Sequence, residues 1–274
     1  MASARCAYST VFYTSKYERV SEKSKGPWMN ELQILKSDIT QSRVVESKLD
    51  IDTPLAAGEI LLKVDKFGFS ANNVTYAAAG DQLGYWQFFP ASNNETETWG
   101  IIPVWGFADV VASSVEAVDA GERIFGYYPT NSYLKMQNVK VLESRLVDRA
   151  EHRSKLPPGY NTYRRVGKEA DYDSNMDNMR MLLWPLYITS FCLWDSLQHN
   201  DWHGAKQVIV ISASSKTSIG LGYALAADTD APTSIGLTSK RNQEWVAGLE
   251  LYDATINYDA LGEIDASIPT VIVD

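Results

Sequence analysis

The residues best suited to binding a phosphate group lie in one short run, Ser212-Ala-Ser-Ser-Lys-Thr-Ser218. This run follows the apolar segment Val208-Ile-Val-Ile211 and precedes small and apolar residues, a pattern that predicts a strand, a tight loop and a helix. The first N–H groups of a helix are unpaired and its dipole favours negative charge, so such a loop can hold an anion. The alternative is that the hydroxyls only cap a structural helix. The side chains that we expect to contribute are Ser214, Ser215, Lys216 and Thr217.

The loop differs from the common glycine-rich nucleotide loops. It contains no glycine, so it matches neither G-x-G-x-x-G nor the Walker A sequence, of which it shares only the Lys-Thr ending. We therefore exclude an NTPase. Gly220 and Gly222 follow the loop, and we expect them to let the helix pack closely on its strand.

Two cations follow the next predicted strand, in Gly236-Leu-Thr-Ser-Lys-Arg241. Folds that bind NAD place an acidic residue here for the ribose 2′-hydroxyl, whereas a 2′-phosphate requires positive charge. Lys240 and Arg241 therefore favour NADP over NAD as the cofactor. The alternative is that both cations begin a solvent-exposed helix.

Three other groups of reactive side chains are weaker candidates. His199 and His203 have the spacing of a metal pair on a helix, but the Glu of H-E-x-x-H is missing, so we expect loop or capping histidines and no metal site. The charged run Asp148-Arg-Ala-Glu-His-Arg153 indicates a solvated face or an interdomain salt bridge. Cys192 lies in an apolar segment, where we expect it to be buried and inert.

The elements that must position these groups divide the chain into two parts. Up to about residue 146, short apolar segments are separated by Gly, Asn and Pro, which predicts a mostly β unit with a closed or nearly closed sheet. A helix is expected at 178–198. Beyond it, strands alternate with helices, which predicts parallel βαβ units. The expected strands are 58–65, 105–112, 122–126, 208–211, 233–237, 254–256 and 270–273, and the later helices are 218–227 and 241–249.

Composition excludes several classes of protein. The chain has 274 residues and a formal net charge of −9, and this acidity argues against general binding to nucleic acid. Residues 1–9 do not resemble a signal peptide, and the longest apolar stretch, 182–194, is shorter than the roughly 20 residues that span a bilayer. We expect a cytoplasmic protein that does not bind membranes.

Several segments resemble the zinc-independent quinone-oxidoreductase branch of the medium-chain dehydrogenase/reductase superfamily. Segments 58–64 and 121–126 resemble strands of its GroES-like substrate domain, and 68–80 lies where that branch has its active-site wall. Gly236-Leu-Thr-Ser-Lys240 and Asp253-Ala-Thr-Ile-Asn-Tyr258 are similar to the pair whose Lys and Tyr contact the NADP 2′-phosphate. The resemblance therefore implies contacts from Lys240 and Tyr258. With their neighbours, the expected cofactor residues after these strands are Ser239, Lys240, Arg241 and Tyr258.

Longer strings are similar to an uncharacterised offshoot of this superfamily, among them Tyr85-Trp-Gln-Phe-Phe-Pro90 and Ser212-Ala-Ser-Ser-Lys-Thr217. The resemblance implies an α/β fold, with a GroES-like, β-rich substrate domain at 1–175 and a Rossmann-type nucleotide domain at 176–274. Where the zinc enzymes have Gly-His-Glu, this chain has Trp105-Gly-Phe-Ala108, so we expect metal-independent chemistry.

The nucleotide domain looks truncated after its fourth strand, because a full doubly wound fold has a second half. We expect either a fragment or a partner, such as a second copy of the chain, that completes the sheet.

Hydride transfer from a nicotinamide leaves an enolate or alkoxide, which needs a hydrogen-bond donor and often a proton. In the stretch that resembles the active-site wall, we expect these groups to be Tyr76, Tyr85 and Asn73. The aromatic side chains that follow, up to Phe89, would form an apolar lid over a flat substrate. The alternative is that the aromatic residues are core or interface packing.

Two functions follow from these observations. The first is an NADP(H)-dependent, metal-independent reductase of a small-molecule carbonyl, enone or quinone substrate. The second is a non-catalytic dinucleotide-binding protein, such as a sensor or a companion subunit in a larger assembly.

Overall fold

The structure is a computed structural model that describes residues 29–92 and 95–274, so the expectation for residues 1–9 lies outside the described residues. The first part of the described chain is built mainly of strands, as its punctuated apolar pattern predicts. The strands are β1 (Asn30–Leu35), β2 (Ser42–Glu46), β3 (Ile60–Gly68), β4 (Trp99–Gly100), β5 (Val104–Ser113), β6 (Arg123–Tyr128), β7 (Tyr133–Met136), β8 (Lys140–Val141), β9 (Arg145–Val147) and β10 (Thr162–Arg165).

These strands form two antiparallel sheets around an aromatic and aliphatic core. One sheet has the order β2-β1-β4, and the larger has the order β7-β3-β5-β6-β10-β9-β8. The expected strands 58–65, 105–112 and 122–126 are confirmed as β3, β5 and β6. Helix α1 (Ala71–Ala78) follows β3 directly and begins after Ser70, whose N–H donates to Asn73 Oδ1 at 2.8 Å.

The expected aromatic lid is instead part of the core. Phe88 is fully buried, and Trp86 and Phe89 are 6% and 5% exposed. Phe88 packs edge-on against Tyr127 of β6, with ring centroids 5.4 Å apart. The apolar run that follows Tyr85 therefore serves packing, because burying such large rings is the dominant stabilising contribution of aromatic residues.

The charged run at 148–153 is buried at its two ends, whereas the charged side chains between them are exposed. Asp148 and Arg153 form an ion pair in which each side chain is 1% exposed. The carboxylate also accepts hydrogen bonds from the N–H groups of Gln137 and Ala150, at 3.1 and 3.0 Å. These bonds compensate the cost of removing two charges from water.

A long helix, α2 (Asp177–His199), confirms the helix expected at 178–198. Asp177 at its start is 2% exposed and binds Arg123 of β6, which also pairs with Asp65 and Asp109. The expectation for Cys192 is wrong, because this cysteine is exposed. It lies on an outward-facing side of α2. None of the helices in the described ranges is long and apolar enough to cross a membrane.

The remaining elements form the expected parallel sheet, with order β13-β12-β11-β14. Gln207 to Val210 of β11 are all buried, as a strand covered on both faces requires. The helix expected at 241–249 begins with a 3₁₀ turn, Lys240–Asn242, and its α-helical part is short. The elements are β11 (Gln207–Val210), α3 (Lys216–Ala227), β12 (Thr233–Thr238), α4 (Gln243–Ala247), β13 (Ala254–Asn257) and β14 (Thr270–Val273).

Gly220 and Gly222 of α3 allow close packing, but their neighbours are side chains of other segments and not the strand that we expected. A Cβ atom on Gly220 would lie 2.6 Å from Ser190 Oγ of α2, and one on Gly222 would lie 2.8 Å from the Tyr252 ring. Ser190 is fully buried and its hydroxyl donates to the carbonyl oxygen of Thr217 at 2.7 Å. Gly220 therefore lets α2 and α3 approach closely enough to fix the start of α3.

Candidate functional site

The loop after β11 begins with a left-handed residue, Ser212, whose φ is +53°. Its N–H donates to the hydroxyl of Tyr258, which follows β13, at 3.1 Å. The next N–H, that of Ala213, donates to the carbonyl oxygen of Leu237 in β12 at 3.0 Å. The loop is therefore tied to the adjacent strand β12 and to the residue that follows β13, the next strand beyond it, at the carboxyl edge of the sheet. Ligands bind at this edge in open α/β folds.

Ser214 extends this connection to the loop after β12. Its hydroxyl accepts a hydrogen bond from Asn242 Nδ2 at 3.0 Å. The ends of β11, β12 and β13 therefore meet through two side-chain bonds, Ser214–Asn242 and Ser212–Tyr258. The loop, Ser239 to Arg241 and Tyr258 therefore lie at the same edge of the sheet.

Ser215 caps helix α3. Its hydroxyl accepts from the N–H of Ser218 at 3.2 Å, and the two hydroxyls are 2.9 Å apart. This is the capping interpretation that the sequence left open. The hydroxyl of Thr217 makes no hydrogen bond to a described residue, so phosphate binding by this turn stays a prediction.

The residues after β12 offer polar groups that the described protein does not use. The Ser239 hydroxyl is buried and has no hydrogen-bond partner in the described chain. Lys240 and Arg241 are exposed, and neither forms an ion pair with the residues that the structure describes. A hydroxyl and two unpaired cations at one strand end suit a phosphorylated ligand.

Lys216, in the first turn of α3, connects the parallel sheet β13-β12-β11-β14, here called the nucleotide-type sheet, with the β-rich part of the chain formed by β1 to β10. Its Nζ donates to Asn72 Oδ1 at 3.3 Å, across 144 positions of sequence. Asn72 and Tyr76 lie four residues apart on α1 and therefore share a face. Lys216, at the end of the loop after β11, therefore contacts α1 one helical turn away from the predicted catalytic residue Tyr76.

Tyr76 belongs to a cluster of aromatic rings. Its ring centroid lies 4.6 Å from that of Tyr85 and 5.7 Å from that of Tyr127. The Tyr85 hydroxyl is 3.4 Å from that of Tyr160. Both Tyr76 and Tyr85 are half-buried, whereas Tyr127 is fully buried. The cluster thus contains two predicted catalytic tyrosines whose side chains are only half-buried.

Burial favours the neutral form of three phenols in this cluster, those of Tyr76, Tyr127 and Tyr160. It raises the pKa of Tyr76 above its ordinary value, although the nearby Trp105 and Tyr127 side chains oppose the rise. The pKa values of Tyr127 and Tyr160 are raised as well, again mainly by burial. A tyrosine that holds its proton is suited to donate a hydrogen bond or a proton.

Asn73 is buried, and both ends of its amide have protein partners. Its Oδ1 accepts from Ser70 N–H, and its Nδ2 donates to the carbonyl oxygen of Pro103 at 3.1 Å. These bonds hold the start of α1 against the segment before β5. A catalytic role for Asn73 stays a prediction, and its observed contacts position Tyr76.

Sequence reasoning missed two amides that organise the site, Asn72 and Asn242. Asn242 directly follows the predicted cations Lys240 and Arg241, so its position in the sequence could have indicated a place in the site. Its partner, Ser214, could not be predicted, because that contact depends on the fold. The Lys216–Asn72 bond joins distant segments and left no local signal.

Metal binding has no support in the described residues, in which no group of three or more His, Cys, Asp and Glu side chains is arranged around a common point. His199 and His203 are both exposed, at the end of α2 and in the 3₁₀ turn that follows.

A cleft of about 470 Å³ lies between β10 and the start of α2. Arg180 binds Glu169 through two hydrogen bonds of 2.6 and 2.9 Å, and Arg164 lies over the Trp184 ring. None of the residues around this cleft belongs to the nucleotide-type loops. Its lining residues are Arg164, Glu169, Asp171, Tyr172, Asp173, Met176, Arg180 and Trp184.

Comparison with known proteins identifies both a family and a fold. The family described as "Protein of unknown function (DUF2855)" matches residues 67–274. No curated protein matches the sequence.

Three solved structures are similar to the chain. The mitochondrial 2-enoyl thioester reductase heterodimer from Candida tropicalis is 13% identical, with a TM-score of 0.52, over 84% of this chain and 61% of its own. CurA from Vibrio vulnificus is 13% identical, with a TM-score of 0.50, over 85% and 59%. An Etr1p mutant in complex with NADP and crotonyl-CoA is 14% identical, with a TM-score of 0.50, over 84% and 60%.

The chain spans about 60% of the length of these structures, and at such identities the likeness concerns the fold. The expected GroES-like and Rossmann-type architecture is confirmed. The chain belongs to the DUF2855 family of proteins of unknown function and has the fold of the medium-chain dehydrogenase/reductase superfamily.

Proposed function

We propose that the chain forms the dinucleotide-binding and proton-donating part of an NADP(H)-dependent, metal-independent reductase of a carbonyl, enone or quinone substrate. The observation that carries this proposal is the Lys216–Asn72 hydrogen bond of 3.3 Å, which joins the phosphate-type loop to the helix of Tyr76. A reductase needs its cofactor and its proton donor side by side, and this contact brings the two predicted groups together.

The residues present fit a phosphorylated dinucleotide. Within the described part of the chain, the buried Ser239 hydroxyl lacks a hydrogen-bond partner and the neighbouring Lys240 and Arg241 form no ion pair. These three side chains would hold a 2′-phosphate, and Tyr258 lies at the adjacent strand end, where its hydroxyl bonds to Ser212. Lys216 and Thr217 would contact the pyrophosphate at the start of α3.

A bound nicotinamide dinucleotide supplies a hydride. The chain's own part is to orient the substrate and deliver a proton. Burial keeps Tyr76 protonated because it raises the pKa of the phenol. Tyr76 would donate its hydroxyl proton to the reduced substrate, and Tyr85, half-buried beside it, would bind the same substrate edge.

The similar solved structures support this proposal. They include enoyl thioester reductases, and one is described in complex with NADP and crotonyl-CoA. Activated enoyl compounds are therefore a sensible first substrate panel, together with quinones. One of these structures is a heterodimer. The prediction that a partner or second copy pairs with the edge strand β14 can be checked by sedimentation.

Binding of NADPH and NADH, followed by fluorescence, tests the cofactor assignment. We expect Lys240→Glu to weaken NADPH binding about 10- to 100-fold, the equivalent of one hydrogen bond to a charged group, and to leave NADH within about twofold. Lys206→Glu, an exposed cation at the opposite end of β11, is the matched control. Equal losses for the two cofactors would refute the 2′-phosphate assignment.

Turnover distinguishes a reductase from the second function, a companion or sensor protein. We expect oxidation of NADPH with at least one enone or quinone, and its loss in Tyr76→Phe with cofactor affinity retained. Tight NADPH binding without turnover on the whole panel would favour the non-catalytic protein.

A further inference from the structure

Two polar atoms in the aromatic cluster are buried without a hydrogen-bond partner among the residues described. They are the indole nitrogen of Trp105 in β5 and the hydroxyl of Tyr127 in β6. An unpaired buried donor costs stability, and native proteins rarely keep one without a reason. Here two such donors belong to neighbouring rings, whose centroids are 5.2 Å apart.

Both donors belong to side chains that surround Tyr76. Tyr127 meets the Tyr76 ring edge-on, with centroids 5.7 Å apart. Burial raises the pKa of Tyr76, and the side chains of Trp105 and Tyr127 act in the opposite direction, as nearby polar groups that can donate to the phenol oxygen. Donors have this effect because they stabilise the phenolate more than the phenol.

The other titratable groups around Tyr76 are also tyrosines. They are Tyr85, on the turn after α1, and Tyr160, on the turn before β10, besides Tyr127 itself. Helix α1 carries no charged residue, and Lys216 bonds to Asn72, one turn away from Tyr76 on this helix. A phenolate at Tyr76 would thus have no ion pair, and hydrogen-bond donors would be its main support.

We propose that Trp105 and Tyr127 are positioning residues that stabilise the Tyr76 phenolate after it has given up its proton. This inference rests on the proposed function. In the step, the O–H bond of Tyr76 breaks and a new C–H or O–H bond forms on the electron-rich substrate left by hydride addition from the dinucleotide. The electron pair stays on the Tyr76 oxygen until a water molecule restores the proton.

This arrangement separates two requirements of a general acid. Burial holds the proton on Tyr76 before the reaction, and the two donors limit the cost of the charge that appears during it. Simple ring packing explains the aromatic contacts, but it does not explain why two donors in neighbouring rings stay unpaired among the described residues.

The clean test is Tyr127→Phe, because the oxygen that it removes has no hydrogen-bond partner in the described chain. Tyr128→Phe is the matched control, since the Tyr128 hydroxyl donates to the Ile124 carbonyl oxygen at 3.0 Å and takes no part in the cluster. With 3-fluorotyrosine at position 76, fluorine NMR measures the pKa of this one phenol in the full chain without cofactor. We expect that pKa to rise by about 1 in Tyr127→Phe and to be unchanged in Tyr128→Phe.

A second variant, Trp105→Phe, removes the indole donor and should raise the same pKa by a similar amount. Tyr127→Phe should keep the melting temperature of the parent, whereas Tyr128→Phe should lower it. A labelled Tyr76 whose pKa is the same in the parent and in both donor variants would overturn the inference.

Kinetics provide the readout that separates this inference from the proposed function. If the chain reduces an enone with NADPH, we expect Tyr127→Phe to lower kcat about tenfold and to move the alkaline limb of the pH profile upward, with KM for NADPH unchanged. If the chain turns over but the alkaline limb of its pH profile is the same in Tyr127→Phe as in the parent, the proposed role of the donors is refuted. Absence of turnover in the parent chain would refute the proposed function and the catalytic use of the donors, even where the NMR shift is seen.

Discussion

Replacing Asp177 by alanine should detach the start of α2 from the β-rich part of the chain. The Asp177 carboxylate is 2% exposed and accepts from Arg123 Nη2 at 2.9 Å and from the Tyr172 hydroxyl at 2.9 Å. Lys66 Nζ lies 3.2 Å away. Each hydrogen bond to a charged group contributes about 1.5–3 kcal/mol, but Arg123 keeps two other carboxylate partners, so we expect a total loss of about 3 kcal/mol.

The matched control is Asp65→Ala, because Asp65 binds the same guanidinium at 2.7 Å but is 45% exposed. An exposed ion pair contributes less than about 1 kcal/mol. For a chain of this size, we expect Tm to fall by roughly 6–12 °C in Asp177→Ala and by less than about 4 °C in Asp65→Ala. Thermal unfolding followed by circular dichroism measures both values. Equal decreases in the two variants would refute the reasoning, because burial would then not distinguish the two carboxylates.

Three further results are expected. Asp148→Ala should cost about 3–5 kcal/mol in urea unfolding, because it leaves Arg153 charged and buried, and an effect below about 1 kcal/mol would contradict this. Gly220→Ala should cost about 1–3 kcal/mol, because its Cβ would lie 2.6 Å from Ser190 Oγ, and Ser190→Gly in the same chain should recover part of the loss. Burial raises the pKa of tyrosines in the β-rich core above the ordinary 10.0, so stability is full below pH 10 and should fall above it, as the unfolded chain ionises first. Unfolding free energies that stay constant from pH 9 to pH 11 would contradict this last expectation.

The elements of the nucleotide-type sheet were predictable because each has a strong local pattern. The run Val208-Ile-Val-Ile211 indicates a strand covered on both faces, and β11 at Gln207–Val210 is entirely buried. The last strand was expected at 270–273 and is β14 (Thr270–Val273). Parallel order then followed from the alternation of strands and helices.

The roles of charged and aromatic side chains were harder to predict, since these depend on contacts between distant segments. Nothing local distinguishes Asp148, which is buried with Arg153, from a solvated aspartate. The aromatic residues after Tyr85 looked like a lid because their pattern is the same in a lid and in a core. Cys192 lies in an apolar segment yet is exposed, because α2 is covered on one side only in the described chain.

The candidate site was partly predictable for the same reason. The loop after β11, the cations after β12 and Tyr258 follow successive strands, so parallel topology alone brings them to one edge. The contact from Lys216 to Asn72 spans 144 positions and depends on how the two parts of the chain meet.

Calorimetric titration of the unmodified chain with NADPH and with NADH is the most direct test of the central claim, that cations and hydroxyls at the ends of β11, β12 and β13 hold a 2′-phosphorylated dinucleotide. We expect NADPH to bind at least about tenfold more tightly than NADH, with a preference that weakens as salt is added. Equal affinities, or no heat with either dinucleotide, would contradict the account.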